Sequence, residues 1–193
     1  MASTLASATS AAHKTIVSLL SASQVTVGMT IQDVTDASIR SSNISTSVTI
    51  KETAPDQTFT LEGISGKNII VGVPGAFTGT CNAHVPGYIQ AYDKFKAKGV
   101  KDVYVVAVND VFVMQAWKDH LASSGTPVRF IADDTGSFIG SMGLLFDPSE
   151  KLGGPRAKRF VIVAEGTQIT HLAIEPDPTK VTVTAADKIL PLL

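Results

Sequence analysis

The sequence predicts an α/β fold in which one mixed sheet carries helices on both of its faces. Aliphatic runs typical of buried strands alternate with helical segments from residue 68 onward. A hairpin and a last helix follow this alternation, and that order of elements builds a mixed sheet. The 193 residues are 44% hydrophobic, which is enough to bury one core. We expect a single domain at residues 24–193, preceded by a tail or short helix at residues 1–23.

Each element follows from local patterning and from the residues that interrupt it. In chain order we expect β-like segments at residues 25–31, 47–52 and 58–62, a polar loop at 33–47, a buried strand at 69–73, a helix from about 80 to 98, a strand at 103–109, a helix at 112–121, a strand at 128–133, a helix at 135–145, a hairpin turning at 165–167 and a last helix at 184–192. Thioredoxin-like folds have this order of elements.

The composition argues against several classes of function. A net charge of −1 disfavours a nucleic-acid or membrane partner bound mainly by electrostatics. No apolar run approaches the roughly 20 residues that span a bilayer. One cysteine excludes an internal disulfide and any cysteine-rich metal site, and the four histidines show no ligand spacing. We therefore expect neither a metal nor a cofactor.

The sequence also indicates a compartment. A single cysteine fits a reducing environment, so we expect a cytoplasmic protein. Residues 1–23 contain no arginine, which makes a mitochondrial transit segment only weakly indicated. The last four residues, Leu-Pro-Leu-Leu, are not a peroxisomal address of the Ser-Lys-Leu type.

The cysteine, Cys81, occupies the most chemically arranged stretch of the chain. It follows the expected strand at 69–73 and lies where helical patterning starts, so unpaired backbone N–H groups and the helix dipole favour an anion at its sulfur. Thr78 precedes it by three residues and Pro74 precedes Thr78 by four. A buried, inert cysteine is the commoner state of a lone thiol, but these neighbours favour a nucleophile.

These residues resemble a known family. GVPGAFTGTC, at residues 72–81, followed by HVPGY, is similar to the active-site stretch of the peroxiredoxins. Within them it resembles the subgroup of peroxiredoxin 5, the plant type II proteins and the fungal alkyl-hydroperoxide peroxiredoxins. The resemblance continues in the same order through residues 107–119, 130–145, 157–166 and 173–177.

The resemblance implies a thioredoxin-like fold and the reduction of hydrogen peroxide and alkyl hydroperoxides by a thiolate. Cys81 would be the peroxidatic nucleophile and become a sulfenic acid. Pro74 would shield the sulfur, and Thr78 would hydrogen-bond the thiolate and the peroxide. The family's arginine falls on Arg159. By position alone, other basic residues would serve equally well: Arg156, Lys158 and Lys151.

Three positions depart from the family pattern. Gly79 replaces a common proline, and His84 follows the cysteine by three residues where relatives usually have four. We therefore expect His84 in the first helical turn, near the pocket rim. Val183 stands where relatives with an internal disulfide have a resolving cysteine.

The missing second cysteine implies a one-cysteine route. The Cys81 sulfenate must then be reduced by an external thiol such as glutathione, glutaredoxin or thioredoxin. The resemblance also implies a homodimer that pairs through loops around the active site. Two alternatives remain: a peroxide sensor or chaperone-like signalling protein that uses the same sulfenate, and a structural homologue that has lost its activity.

Overall fold

The computed structural model describes residues 47–193. The predicted tail at residues 1–23, the β-like segment at 25–31 and all but the last residue of the loop at 33–47 lie outside this range. Within it the strands are β1 (Ile50–Lys51), β2 (Thr58–Phe59), β3 (Lys67–Gly72), β4 (Val100–Ala107), β5 (Arg129–Ala132), β6 (Leu145–Phe146), β7 (Arg156–Ala157), β8 (Phe160–Glu165) and β9 (Gln168–Ile174). The helices are α1 (Gly79–Gln90), α2 (Tyr92–Ala97), α3 (Val111–Leu121), α4 (Ser137–Ser141), α5 (Ser149–Leu152) and α6 (Ala186–Ile189), followed by a 3₁₀ turn at Leu190–Leu192.

The main sheet is mixed, as predicted. In the described part of the chain its strand order is β2-β1-β5-β4-β3-β8-β9. The three central strands β3, β4 and β5 are parallel, and β8 and β9 continue the sheet as an antiparallel hairpin beside β3. These parallel strands and β8 carry continuous aliphatic runs, since both of their faces are covered.

Two hydrophobic cores form because side chains alternate along each strand. One face of the sheet packs against α1, α2, α3 and α6, through residues such as Val71, Val105 and Trp117. The other face packs against α4 and the loops around it, through residues such as Ile70 and Phe138. Helices therefore cover both faces, which confirms the predicted fold class.

The predicted helix at residues 80–98 is in fact two helices. The chain leaves helical geometry at Ala91, where φ is −89° and ψ is 3°. No glycine or proline marks this position. The ring of Phe95 stacks on Tyr88 with centroids 5.6 Å apart, and this tertiary contact between the two helices accompanies the break.

Two other helices are shorter than predicted. The helix expected at residues 135–145 ends at Ser141, since Gly143 adopts a left-handed φ of 69° that terminates it. The last helix begins at Ala186 rather than at Thr184, because Thr184 bonds to Glu175 instead. The two-residue strands β6 and β7 and the single turn of α5 were not predicted, since so few residues carry no periodicity.

Candidate functional site

Cys81 lies at the start of α1, as predicted. It is the third residue of a helix that begins at Gly79, and Thr78 caps that helix in an extended conformation with φ −74° and ψ 146°. The thiol is free and completely buried. Because the first turn of a helix has unpaired backbone N–H groups, this position favours negative charge on the sulfur.

The loop between β3 and α1 is held by one local hydrogen bond and by one to a residue distant in sequence. Ala76 N donates to Asn109 Oδ1 at 3.0 Å, which ties the loop to the end of β4. The Thr78 hydroxyl donates to Gly75 O at 3.0 Å. Phe77 adopts a left-handed φ of 61°, which is uncommon for a residue other than glycine. Since the Thr78 proton is directed at a carbonyl, its oxygen remains able to accept a hydrogen bond from a ligand.

Arg159 reaches Cys81 because of the alternation along β8. Phe160 packs across Gly72 on the far face of the sheet, where a Cβ on Gly72 would lie 2.0 Å from Cε1 of the ring. The preceding residue, Arg159, therefore points to the opposite face, toward α1. Its side chain is buried, with 1% of its surface exposed.

Each nitrogen of the Arg159 guanidinium has a partner. Nη2 donates to Cys81 Sγ at 3.3 Å and to Pro178 O at 2.9 Å, and Nε donates to the same carbonyl at 3.1 Å. Nη1 bonds to His84 Nδ1 at 3.1 Å. The ion pairs found among residues 47–193 do not include Arg159. Neutral acceptors thus orient the guanidinium, and its charge faces the sulfur.

The three rival basic residues have other roles. Arg156 donates to Val108 O and to Leu152 O, and Lys158 donates to Gly143 O. Lys151 lies in α5 at the edge of a cavity. Of these four basic residues, all in the described part of the chain, only Arg159 donates to Cys81.

The prediction for His84 was wrong. The residue is 3% exposed rather than at the rim, because Cys81, His84, Val85 and Tyr88 form the buried face of α1. Residues at i, i+3, i+4 and i+7 share one side of a helix, so this spacing was the signal that could have placed His84 beside the cysteine.

The partners of His84 determine its tautomer. Nε2 lies 2.8 Å from the carbonyl oxygen of Thr184, which can only accept, so Nε2 carries the proton. Nδ1 therefore accepts from Arg159. Burial lowers the pKa of His84 to about 4, with the nearby Arg159 charge acting in the same direction and the Thr184 hydrogen bond opposing them. The imidazole is neutral at neutral pH and acts as a fixed acceptor for the arginine.

A cavity of about 580 Å³ opens in front of the site. Pro74, Thr78 and Arg159 form its inner wall, and Arg159 also contacts Cys81. The outer wall comes from the segment around α5 and from the loop after β9, and includes Phe146, Pro148, Leu152, Pro178 and Thr179. This wall belongs to the region that sequence patterning failed to predict.

Two kinds of feature are absent from the described part of the chain. No group of three or more His, Cys, Asp or Glu side chains is placed to hold a metal ion within residues 47–193. Over the same residues, no helix is long and apolar enough to cross a membrane.

Sequence relatives decide the family. The model of the Redoxin family matches residues 26–190. Peroxisomal membrane associated protein 20 of Schizosaccharomyces pombe is 44% identical over 144 residues, which are 74% of this chain and 92% of that protein. Peroxiredoxin-2C of Oryza sativa subsp. japonica is 43% identical over 131 residues, which are 67% of this chain and 80% of that protein. The chain is a peroxiredoxin of the Redoxin family.

A solved structure agrees with this assignment. Reduced Prx3 of Vibrio vulnificus in complex with hydrogen peroxide superimposes on this peroxiredoxin with a TM-score of 0.70 and 34% sequence identity. The match covers 79% of this chain and 99% of that one. The peroxiredoxin is thus a thiol peroxidase of the type II and peroxiredoxin 5 group, and its single cysteine fits a one-cysteine mechanism.

Proposed function

We propose that Cys81 is the peroxidatic nucleophile of this thiol peroxidase and that Arg159, Thr78 and Pro74 bind and orient the peroxide. The observation that carries the proposal is the 3.3 Å contact between Arg159 Nη2 and Cys81 Sγ, at a helix start. A buried guanidinium beside a thiol stabilises the thiolate and also the charge that develops on a departing oxygen.

The reaction follows from these positions. The Cys81 thiolate attacks the terminal oxygen of the hydroperoxide, an S–O bond forms and the O–O bond breaks. The bonding pair leaves on the other oxygen, which takes a proton and departs as water or an alcohol, while the sulfur becomes a sulfenic acid. Arg159 faces the developing negative charge, and Thr78 accepts from the peroxide O–H. Pro74 lines the same cavity as Thr78 and Arg159 and would shield the sulfur from bulk water.

The substrates proposed are hydrogen peroxide and alkyl hydroperoxides. The cavity of about 580 Å³ is far larger than hydrogen peroxide needs, which favours organic hydroperoxides as well. Since the chain has one cysteine, the sulfenate must be reduced by a second molecule. The proposed reductants are glutathione, glutaredoxin and thioredoxin, and peroxide consumption measured with each in turn selects among them.

Two variants test the proposal directly. Cys81→Ser should abolish thiol-dependent peroxide consumption, because a serine hydroxyl is not ionised near neutral pH. Thr78→Val should slow the peroxide step and leave the fold intact, since it removes one hydrogen-bonding oxygen. Unchanged activity of Cys81→Ser would refute the assignment. A single oxidation without turnover in the wild type would favour the peroxide sensor or chaperone-like alternative.

A homodimer is also proposed. Phe77 and Phe112 are the large hydrophobic residues most exposed in the described range, with 47% and 69% of their surfaces accessible. Phe77 belongs to the loop that leads to Cys81, so a partner that covered it would lie beside the active site. Light scattering at micromolar concentration should give twice the monomer mass, and a monomer would contradict the proposal.

A cytoplasmic location remains a prediction, which imaging of the tagged full chain tests.

A further inference from the structure

A second polar cluster, centred on Glu175, lies next to Arg159 at the end of the neighbouring strand. Glu175 follows β9 and is 4% exposed. Its backbone N–H donates to Arg159 O at 2.9 Å, so the two residues face each other across the β8–β9 ladder. Glu175 is a buried carboxylate, and the peroxide reaction described above does not use it.

Within residues 47–193, two threonines supply the hydrogen bonds to this carboxylate. Oε1 accepts from Thr182 N at 2.6 Å, from Thr184 N at 2.9 Å and from Thr184 Oγ1 at 2.8 Å. Oε2 accepts from Thr182 Oγ1 at 2.6 Å. Burial alone would raise the pKa of Glu175, but these four bonds together hold it below its ordinary value. The carboxylate is therefore an anion, and its bonds to Thr182 and Thr184 hold together the two ends of the loop of residues 176–183.

That loop provides carbonyl oxygens to the active site. Pro178 O accepts from Nε and Nη2 of Arg159. At the end of the loop, Thr184 O accepts from His84 Nε2 at 2.8 Å and from the Tyr88 hydroxyl at 2.6 Å. These two carbonyls orient the guanidinium, one directly and one through the imidazole. Their positions depend on how the loop is closed.

We propose that Glu175 is a positioning residue for Arg159. By fixing Thr182 and Thr184, it sets the two carbonyls against which the guanidinium and His84 are aligned, and so keeps Nη2 on the sulfur. The proposal rests on the proposed function of Cys81 and Arg159. A displacement of about 1 Å in a reacting group can cost on the order of 100-fold in rate, so a side chain that never contacts the peroxide can still control the reaction.

The test compares Glu175→Ala with Glu175→Gln. Alanine removes all four bonds. Glutamine keeps one oxygen for the three bonds made by Oε1, and its amide can donate to the Thr182 hydroxyl. The measured quantity is the second-order rate constant for Cys81 oxidation by hydrogen peroxide, from quenched-flow samples analysed by intact mass. We expect Glu175→Ala to be roughly 10-fold to 100-fold slower than wild type. We expect Glu175→Gln to recover most of the rate.

Two controls separate positioning from a loss of stability. Glu165→Ala removes an exposed carboxylate at the opposite end of β8 and should change the rate constant by less than about 2-fold. The second control repeats Glu175→Ala in an Arg159→Ala background. If Glu175 acts through Arg159, the added loss should disappear there, whereas independent sites would give multiplicative losses.

The outcomes are distinguishable. If Glu175→Ala does not fold, Thr184→Val replaces it, because it removes one donor with little change of shape. A Glu175→Ala or Thr184→Val protein that melts at lower temperature yet keeps the wild-type rate constant would overturn the positioning role. The positioning role would also be overturned if Glu175→Ala lowered the rate constant by the same factor in the Arg159→Ala background as in the wild type. Slow oxidation of wild-type Cys81 would instead overturn the proposed function itself.

Discussion

At the scale of single residues, the site depends on how Arg159 distributes its hydrogen bonds. Pro178 O and His84 Nδ1 take three of them, and Cys81 Sγ takes the fourth. A carboxylate partner would neutralise the guanidinium, but both of the other acceptors are uncharged. The positive charge therefore remains available to the Cys81 sulfur and, in the proposed reaction, to the oxygen that departs when the O–O bond of the peroxide breaks.

Replacing Arg159 tests this distribution. Arg159→Ala should slow Cys81 oxidation by roughly 100-fold to 1,000-fold, which is the usual cost of removing one well-placed donor. Arg159→Lys should recover little, because an ammonium cannot hold three acceptors in the geometry of a planar fork. The chain's one tryptophan, Trp117, donates to Asn82 beside the cysteine, so stopped-flow fluorescence can follow the reaction. Lys188→Ala, which removes an exposed cation of α6, is the control. An unchanged rate in Arg159→Ala would show that the wrong arginine was assigned.

His84 predicts a pH dependence of stability. Its pKa is about 4 in the folded protein and 6.5 when unfolded, so between these values the unfolded chain binds more protons. Stability is therefore fully present above pH 6.5 and is lost as the pH falls toward 4, at about 1.4 kcal/mol per pH unit. Denaturant unfolding of His84→Asn should lack this contribution. A pH profile identical to wild type would contradict the burial of a neutral imidazole.

Two substitutions of His84 distinguish the two hydrogen bonds that its ring makes. The Asn oxygen can stand in for Nδ1 and keep the bond from Arg159, whereas the Gln amide can stand in for Nε2 and keep the bond to Thr184 O. We therefore expect hydrogen peroxide to oxidise Cys81 faster in His84→Asn than in His84→Gln. The reverse order would mean that the contact with Thr184, rather than the one with Arg159, matters to the reaction.

At the scale of elements, the pairing of β3 with β8 aims the arginine. Gly72 lies opposite Phe160 in that pairing, and the ring occupies the space where a Cβ would stand. Gly72→Ala should therefore push Phe160 out of its place and lower the free energy of unfolding by roughly 1 to 3 kcal/mol, as overpacking in a core usually does. It should also slow Cys81 oxidation, since Arg159 is the neighbouring residue.

Gly79→Ala provides the matched comparison. A Cβ at Gly79 would meet nothing within 4 Å, and the residue lies in the first turn of α1. The substitution should leave the protein unchanged or stabilise it by up to about 1 kcal/mol, since alanine is the better helix former. Urea denaturation measures both variants. Equal effects at the two glycines would show that the contact between Gly72 and Phe160 does not constrain the sheet.

At the scale of the whole molecule, the sequence predicted the fold better than the site's interior. Aliphatic runs such as the one ending at Gly72 identify central strands because burial on both faces demands them. The helix break at Ala91 and the loop that contains Pro178 depend on tertiary contacts, which local sequence patterns do not encode. Cys81 was recognised by its spacing from Thr78 and Pro74. Glu175 was missed because its partners, Thr182 and Thr184, matter only once the loop has folded back.

The fate of the oxidised protein is the last consequence of this architecture. Cys81 is the only cysteine of the chain, so its sulfenate cannot form an intramolecular disulfide. A disulfide between two chains requires the sulfurs to approach within about 2 Å of each other, and a completely buried sulfur opposes that approach. The sulfenate should therefore persist until a thiol reaches it or more peroxide converts it to a sulfinic acid.

Intact mass spectrometry and non-reducing gels check this expectation. Limited hydrogen peroxide should add one or two oxygens to a chain that still runs as a single subunit. Glutathione present during oxidation should instead restore the thiol or give a mixed disulfide, in which the glutathione sulfur replaces the sulfenate oxygen and water is released. Cys81→Ser, which has no thiol, should show neither product. Quantitative conversion to a covalent dimer would contradict the one-cysteine route, because it would mean that the sulfurs leave their buried positions and meet.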